Sequence, residues 1–542
     1  MAIALDYKVV PEWPVLSWLA VCEIDSDRVF VLHGIDVQTK PDWFCEAIWD
    51  GVYSEGNFDQ TDLIYGSGAR CRGNQITFVS SGATTDRLQF LQRDALILIS
   101  NSLACLLASS AVDPDPQFRG YIELFTSIRR GYKRYDRFVP LRGATAQLVF
   151  FQNLEWDGRV LREMPKIIPR RDFSSFERYT AFLDSSLQRL AVNFSSPDRA
   201  FTYDWQGSLS RGYDSPTSVA LAKEAGLRTA LSFHESRPGV RDDGAAIADA
   251  LSVEMKLVDR LGWQKEGVWE PLFLSADGQG KEIMVSAAPA LLHRRIFVTG
   301  HAGDCVWNMN PKCVSTELVR DGYSGLSTTE FRLHCGFIHF PLPYMGMSQM
   351  ADICRISQSP EMSRWDIGGC YSRPICRRVL EERGVPRDSF GKEKTGASVR
   401  FVIGQDPWSF QGHKAFLKWM LSSNVLCQHR WTRRVWLATV LTFLRFSLMF
   451  GQFAPRTFRQ IFDKACDRMV RYLRQWGVED YAHLWGMECT RQFYEVAENF
   501  DPPHRFVRDE GIVRVNWLEP PCEDPCLRRC AIPSVISTAR PR

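Results

Sequence analysis

Residues 203–225 read YDWQGSLSRGYDSPTSVALAKEA, and their reading decides the fold. A strand-like run breaks at Ser210-Arg211-Gly212-Tyr213-Asp214-Ser215, and the chain then enters a helix. Hydroxyls, a glycine and a helix start gather N–H donors where the helix dipole is positive, and such a terminus holds a phosphate. Asp214 would repel a bare phosphate, so its place in the turn makes sense with a Mg²⁺ bound beside it. Taken alone, the turn also fits an ordinary strand-to-helix connection. The stretches around it decide.

Downstream, strands and helices alternate. The pattern predicts a strand over Phe201–Leu209, a helix over Pro216–Ala225, a strand over Leu227–Phe233, a helix over Asp242–Leu251 and strands over Val253–Val258 and Arg295–Thr299. This spacing indicates a doubly wound parallel sheet of the α/β class, whose ligands bind at the carboxyl ends of strands. A second loop, Gly300-His301-Ala302-Gly303-Asp304-Cys305, follows the strand Arg295–Thr299 and is expected to open onto the same edge as the first. Its glycines let a ligand approach the backbone, and Asp304 joins Asp214 as a second hard oxygen ligand for Mg²⁺ on a nucleotide's phosphates.

Upstream, the first ~170 residues read as mostly β, from period-2 runs at Arg28–His33, Gln75–Ser80, Ala95–Ile99, Gly143–Gln152 and Val160–Met164. Pro165–Arg171 reads as a linker, followed by a helix over Phe173–Leu190. Phe176, Tyr179, Phe182, Leu183, Leu187 and Leu190 form its expected buried face, with Ser186 and Gln188 at or beyond the edge.

A chain of 542 residues exceeds what one core usually supports. Its 45% hydrophobic and 12% aromatic content describe a packed globular protein, and a net charge of +3 gives no argument for nucleic acid or an anionic membrane as main partner. Sixteen cysteines without a regular framework suggest free thiols in a reducing cytoplasm. MAIALDYKVVPEW has no basic region leading into an apolar core, so no signal peptide is expected. Val435–Phe450, interrupted by Arg445, is too short to span a bilayer and reads as a buried helix.

The order of strand, Ser-x-Gly-x-Asp-Ser turn, helix, strand ending Leu231-Ser232-Phe233, Asp242-Asp243, helix and Gly-x-x-Gly-Asp resembles the synthetase domain of asparagine synthetases, in the ATP-pyrophosphatase (PP-loop) group. The resemblance implies cleavage of ATP to AMP and pyrophosphate. Ser210, Arg211, Gly212, Tyr213, Asp214 and Ser215 then stand on the pyrophosphate loop. Asp214 and Asp304 match the magnesium carboxylates, Leu231, Ser232 and Phe233 the strand flanking adenosine, and Gly300, His301 and Gly303 the second nucleotide loop. Val385-Pro386 followed by Phe390-Gly391-Lys392-Glu393-Lys394 looks like the family's Leu-Pro…Arg-x-Lys segment. That places Lys394 on the lysine that neutralises charge as the acyl-adenylate forms, and Lys392 on the neighbouring arginine. Two departures stand out: Arg211 replaces a usual glycine, and Cys305 replaces a Glu.

The N-terminal portion resembles the family's other half, the Ntn-type glutaminase domain, through Asp86-Arg87, the strand Ala95–Ile99 and Ser100-Asn101-Ser102-Leu103-Ala104. Glutamine hydrolysis there needs a cysteine at the mature N-terminus, and this chain has Ala2. Its first cysteine, Cys22, lies in an apolar run read as a buried strand. The domain therefore reads as degenerate. Ammonia from solution, an amine or a separate glutaminase would supply the nitrogen.

The organisation expected is a degenerate glutaminase-like β-rich sandwich over 1–168, a synthetase-like domain over 172–405, its helical extension over 406–510 and a loose tail over 511–542. In the extension, Trp419, Trp431, Trp436, Phe443, Phe446 and Phe450 alternate with Arg430, Arg433, Arg434 and Arg445. This reads as helix faces on a core with snorkelling arginines, in preference to a single-stranded nucleic-acid surface. Cys522, Cys526 and Cys530 in the tail lack the spacing and fourth ligand of structural zinc sites. Two functions follow from the whole. One is an AMP-forming amide ligase acting on a small-molecule, sugar-acid or peptide carboxylate. The other is a non-catalytic nucleotide-binding or scaffold protein that keeps the fold.

Overall fold

The computed structural model describes residues 3–237, 239–265, 267–369, 371–391, 396–399, 406, 408–423, 431–451, 473 and 477–495. Ala2, Lys392, Lys394 and the tail cysteines lie outside these residues. Five strands make a wholly parallel sheet in the order Glu254–Val258, Thr229–Phe233, Asp204–Leu209, Arg295–Thr299, Ile338–Pro341. The chain begins at the central strand, adds two strands on one side and then two on the other. The order reverses between Asp204–Leu209 and Arg295–Thr299, where sheets of this kind open a ligand crevice.

Alternation along these strands separates two cores. Trp205, Ala230, Ile296 and Val298 pack with the helices Phe176–Phe194, Asp214–Glu224 and Pro374–Glu382. Leu231 and Phe297 face the other way, toward the helices Glu270–Asp277, Thr329–Cys335 and Val478–Arg491. The sheet is thus covered on both faces over its inner strands, whereas the edge strand Glu254–Val258 has no buried residue.

The first part of the chain forms a seven-stranded and a six-stranded sheet facing one another over Trp18, Phe44, Phe78 and Trp156. Cys22 is buried in the strand Trp18–Glu23, and the ten cysteines among the described residues are free thiols. The sandwich meets the parallel-sheet half through buried charge. Arg332 donates from Nη1 to Glu46 Oε2 at 2.7 Å and from Nε to Asp86 Oδ1 at 2.8 Å, with no side chain of the three more than 4% exposed. Tyr494, beyond the helix Val478–Arg491, adds a second tie, its hydroxyl 2.8 Å from Ser17 Oγ and 3.2 Å from Glu330 Oε2.

Three expectations need correction. Ser186 is fully buried and Phe182 only half-buried, because the helix Phe176–Phe194 packs against the strand Trp43–Trp49 as well as the parallel sheet. Asn193, two turns beyond Ser186, accepts from the Trp49 N–H on that second face. The helix expected over Asp242–Leu251 spans only Ala245–Leu251, which leaves Asp242 and Asp243 in front of it. The helix Trp431–Gly451 is not buried throughout: Leu437, Val440 and Leu441 face inward, whereas Val435, Trp436, Phe443 and Phe446 are exposed. Among the described residues, no helix is long and apolar enough to cross a membrane.

Candidate functional site

The helix after the first loop starts at Asp214, two residues before the expected Pro216, so a carboxylate stands in the first turn where the dipole favours negative charge. Ser210 and Ser215 close the loop, with their Oγ atoms 2.8 Å apart, and the Gly212 N–H turns back to Ser210 Oγ at 3.3 Å. Neither Arg211 nor Gly212 lies in the left-handed region. No glycine is required at 211, which explains how an arginine stands there without strain.

The peptide of Arg211 is held from both ends. Its N–H donates to Asp242 Oδ1 at 3.0 Å, and its carbonyl accepts from the Gly391 N–H at 2.9 Å. Tyr213 is buried, with its hydroxyl accepting from Arg377 Nη2 at 2.7 Å and its ring edge-on to Phe390. Asp242, Gly391 and Arg377 thus immobilise the loop from three separate segments. The segment ending at Gly391 is the one that leads into Lys392 and Lys394.

The second loop lies directly against the first. A Cβ on Gly300 would fall 2.5 Å from the Ser215 nitrogen, and one on Gly303 would fall 2.8 Å from Asp214 Oδ1. Only glycine permits this approach, and it sets Asp304 on the loop that touches the Asp214 carboxylate. Cys305 sits between Asp304 and the loop that follows. Its sulfur accepts from the Asp321 N–H at 3.4 Å and lies 3.8 Å from Asp304 Oδ1, and burial followed by the Asp304 charge pushes its thiol up to about 12. It is an anchor for the following loop, not a nucleophile. His301 packs edge-on against His339, and burial lowers its pKa so that it stays neutral.

Leu231 and Ser232 have buried side chains. Ser232 Oγ accepts from the Gly244 N–H at 3.2 Å, so only the backbone of this strand end and the half-buried Phe233 remain to face a ligand. Among the described residues, no three His, Cys, Asp or Glu side chains group as a metal site. Two carboxylates on touching loops suit Mg²⁺, which keeps several waters and takes its remaining oxygens from phosphates.

Two side chains from a stretch in which the sequence offers no readable motif also enter the site. Arg373, just before the helix Pro374–Glu382, has its Nε 3.7 Å from Asp214 Oδ1. The Tyr371 hydroxyl lies over Gly212, 3.8 Å from where a Cβ would stand. Burial and then the Asp214 charge raise the Tyr371 pKa, so it remains a neutral donor. No family model matches this chain, and no curated protein matches it.

Proposed function

We propose that the chain is an AMP-forming, ATP-dependent amide ligase similar to asparagine synthetases. In this reading the parallel-sheet half is a PP-loop synthetase domain, and the sandwich is an Ntn-type domain. One observation carries the reading: the helix-leading Asp214 loop and the Gly300–Asp304 loop are packed together at the reversal of the strand order. A connection needing only to link strand and helix has no reason to bring a second glycine loop against a carboxylate.

The roles follow from position. The loop around Ser210–Ser215 and the N-terminus of the helix Asp214–Glu224 receive the pyrophosphate portion of ATP. Asp214 and Asp304 would hold Mg²⁺, which supplies neutralisation of phosphate charge when bound. The end of the strand Thr229–Phe233 borders adenosine. A carboxylate attacks the α-phosphorus to give an acyl-adenylate, pyrophosphate leaves, and ammonia or an amine then displaces AMP to form the amide. Lys394 and Lys392, just beyond the anchored Gly391, are assigned to the developing charge. The acid is a small-molecule, sugar-acid or peptide carboxylate, in a reducing cytoplasm.

The test is ATP/pyrophosphate exchange across a panel of carboxylates, with Asp214→Asn as control. Exchange by the wild type and none by a folded Asp214→Asn protein is expected. No exchange with any acid, and no Mg²⁺-dependent thermal shift with ATP, would leave a non-catalytic protein that keeps the fold.

A further inference from the structure

Arg373 is 3% exposed, yet neither its Nε nor its Nη1 has a hydrogen-bond partner. A buried guanidinium with unmet donors is costly, and the cost is removed when an oxyanion takes them up. Its Nε sits 3.7 Å from Asp214 Oδ1, too far for a hydrogen bond but close enough for charge attraction. The Tyr371 ring lies 5.7 Å from its Cζ, and the Tyr371 hydroxyl reaches over Gly212. The planar fork therefore sits beside the first turn of the helix Asp214–Glu224, where backbone N–H groups also look for an anion. Arginine meets phosphate oxygens two at a time in this geometry.

We propose that Arg373 is a phosphate-binding residue of this site and that it makes divalent-cation binding depend on the anion. The inference rests on the nucleotide reading above. While Arg373 shares the Asp214 carboxylate, a metal ion would have to bind beside a fixed positive charge, and its affinity is low. A phosphate group gives the guanidinium an anion of its own and so lessens the positive field that Arg373 puts on Asp214.

Calorimetry on the full chain tests this with Mn²⁺ in place of Mg²⁺, with inorganic pyrophosphate, and with both, corrected for the complex they form in solution. For the wild type, Mn²⁺ alone is expected to bind weakly, and pyrophosphate to tighten it by about tenfold or more. Arg373→Met should bind Mn²⁺ alone about tenfold more tightly than wild type, bind pyrophosphate at least about tenfold more weakly, and lose the coupling. Arg373→Lys keeps the charge but loses the fork, so Mn²⁺ affinity should stay near wild type while pyrophosphate weakens. Should the methionine variant fail to fold, the lysine variant carries the test, and unchanged pyrophosphate affinity in it overturns the proposal. If wild type binds Mg²⁺ and ATP but Arg373→Met matches it in every titration, the role of Arg373 falls and the nucleotide reading stands. If wild type binds neither pyrophosphate nor ATP with metal, both fall.

Discussion

Gly391 joins two parts of the site through the side chain it lacks. Its φ is +66°, and a Cβ there would fall 2.3 Å from the Tyr213 ring, while its N–H holds the Arg211 carbonyl. Left-handed backbone costs a non-glycine residue ~1–2 kcal/mol, and overpacking costs a further ~1–3 kcal/mol. Gly391→Ala is therefore expected to lower the melting temperature and to weaken pyrophosphate binding, since Tyr213 must move with the loop. Thermal denaturation and calorimetry on one preparation check both. Placement was legible in the sequence: the loop around Ser210 and Asp214 and the glycines of the second loop lie against one another, following strands of one sheet. Arg373 was not legible. It lies in a stretch without periodicity or motif, and its meaning comes from the carboxylate that the helix Asp214–Glu224 brings to it. The place of Cys305 was not legible either, because the Asp321 N–H that it accepts from belongs to an irregular loop.

Among the elements, the alternation of apolar runs and three-to-four spacing located four of the five parallel strands to within a few residues, while the fifth, Ile338–Pro341, and the helices Glu270–Asp277, Thr329–Cys335 and Pro374–Glu382 were not read. Burial by a neighbour from another part of the fold left no such signal. Ser186 and Asn193 are buried because the sandwich strand Trp43–Trp49 lies beside them, while Val435, Trp436, Phe443 and Phe446 carry core-like side chains on an exposed face. The helix Glu270–Asp277 offers a test of packing against pH. Asp277 Oδ1 accepts from the Gln279 and Gly280 N–H groups, and burial, reinforced by Glu282, raises its carboxyl from 3.8 to about 7. The folded state thus prefers the protonated acid. Its contribution to stability is full below pH 3.8, declines as pH rises, and is gone above about 7. Asp277→Asn keeps the accepting oxygen and removes the ionisation, so the variant should outlast wild type in urea at pH 8, with the advantage shrinking toward pH 4. Equal differences at both pH values would contradict the assignment.

For the whole molecule, the tie between the halves is electrostatic as well as apolar. Arg332→Leu would leave Glu46 and Asp86 buried without their cation, a loss of ~3–5 kcal/mol for a broken buried pair. Urea titration should show this as a lower midpoint. Separately expressed chains 1–171 and 172–542 should each fail to fold alone and recover structure when co-expressed, as circular dichroism and size exclusion would report. Stable folding of either fragment by itself would show that the interface is dispensable.

That interface sets what each half can become. Glu46 also accepts from Ser67 and Asn101, so it is embedded in the sandwich's own hydrogen-bond lattice, while Asp86 accepts from Thr329 of the parallel-sheet half and adds a further bond across the interface. The sandwich is the counter-ion reservoir of its neighbour. Discarding it would expose an uncompensated charge at the heart of the remaining domain, so electroneutrality retains residues 3–164 independently of any reaction performed there.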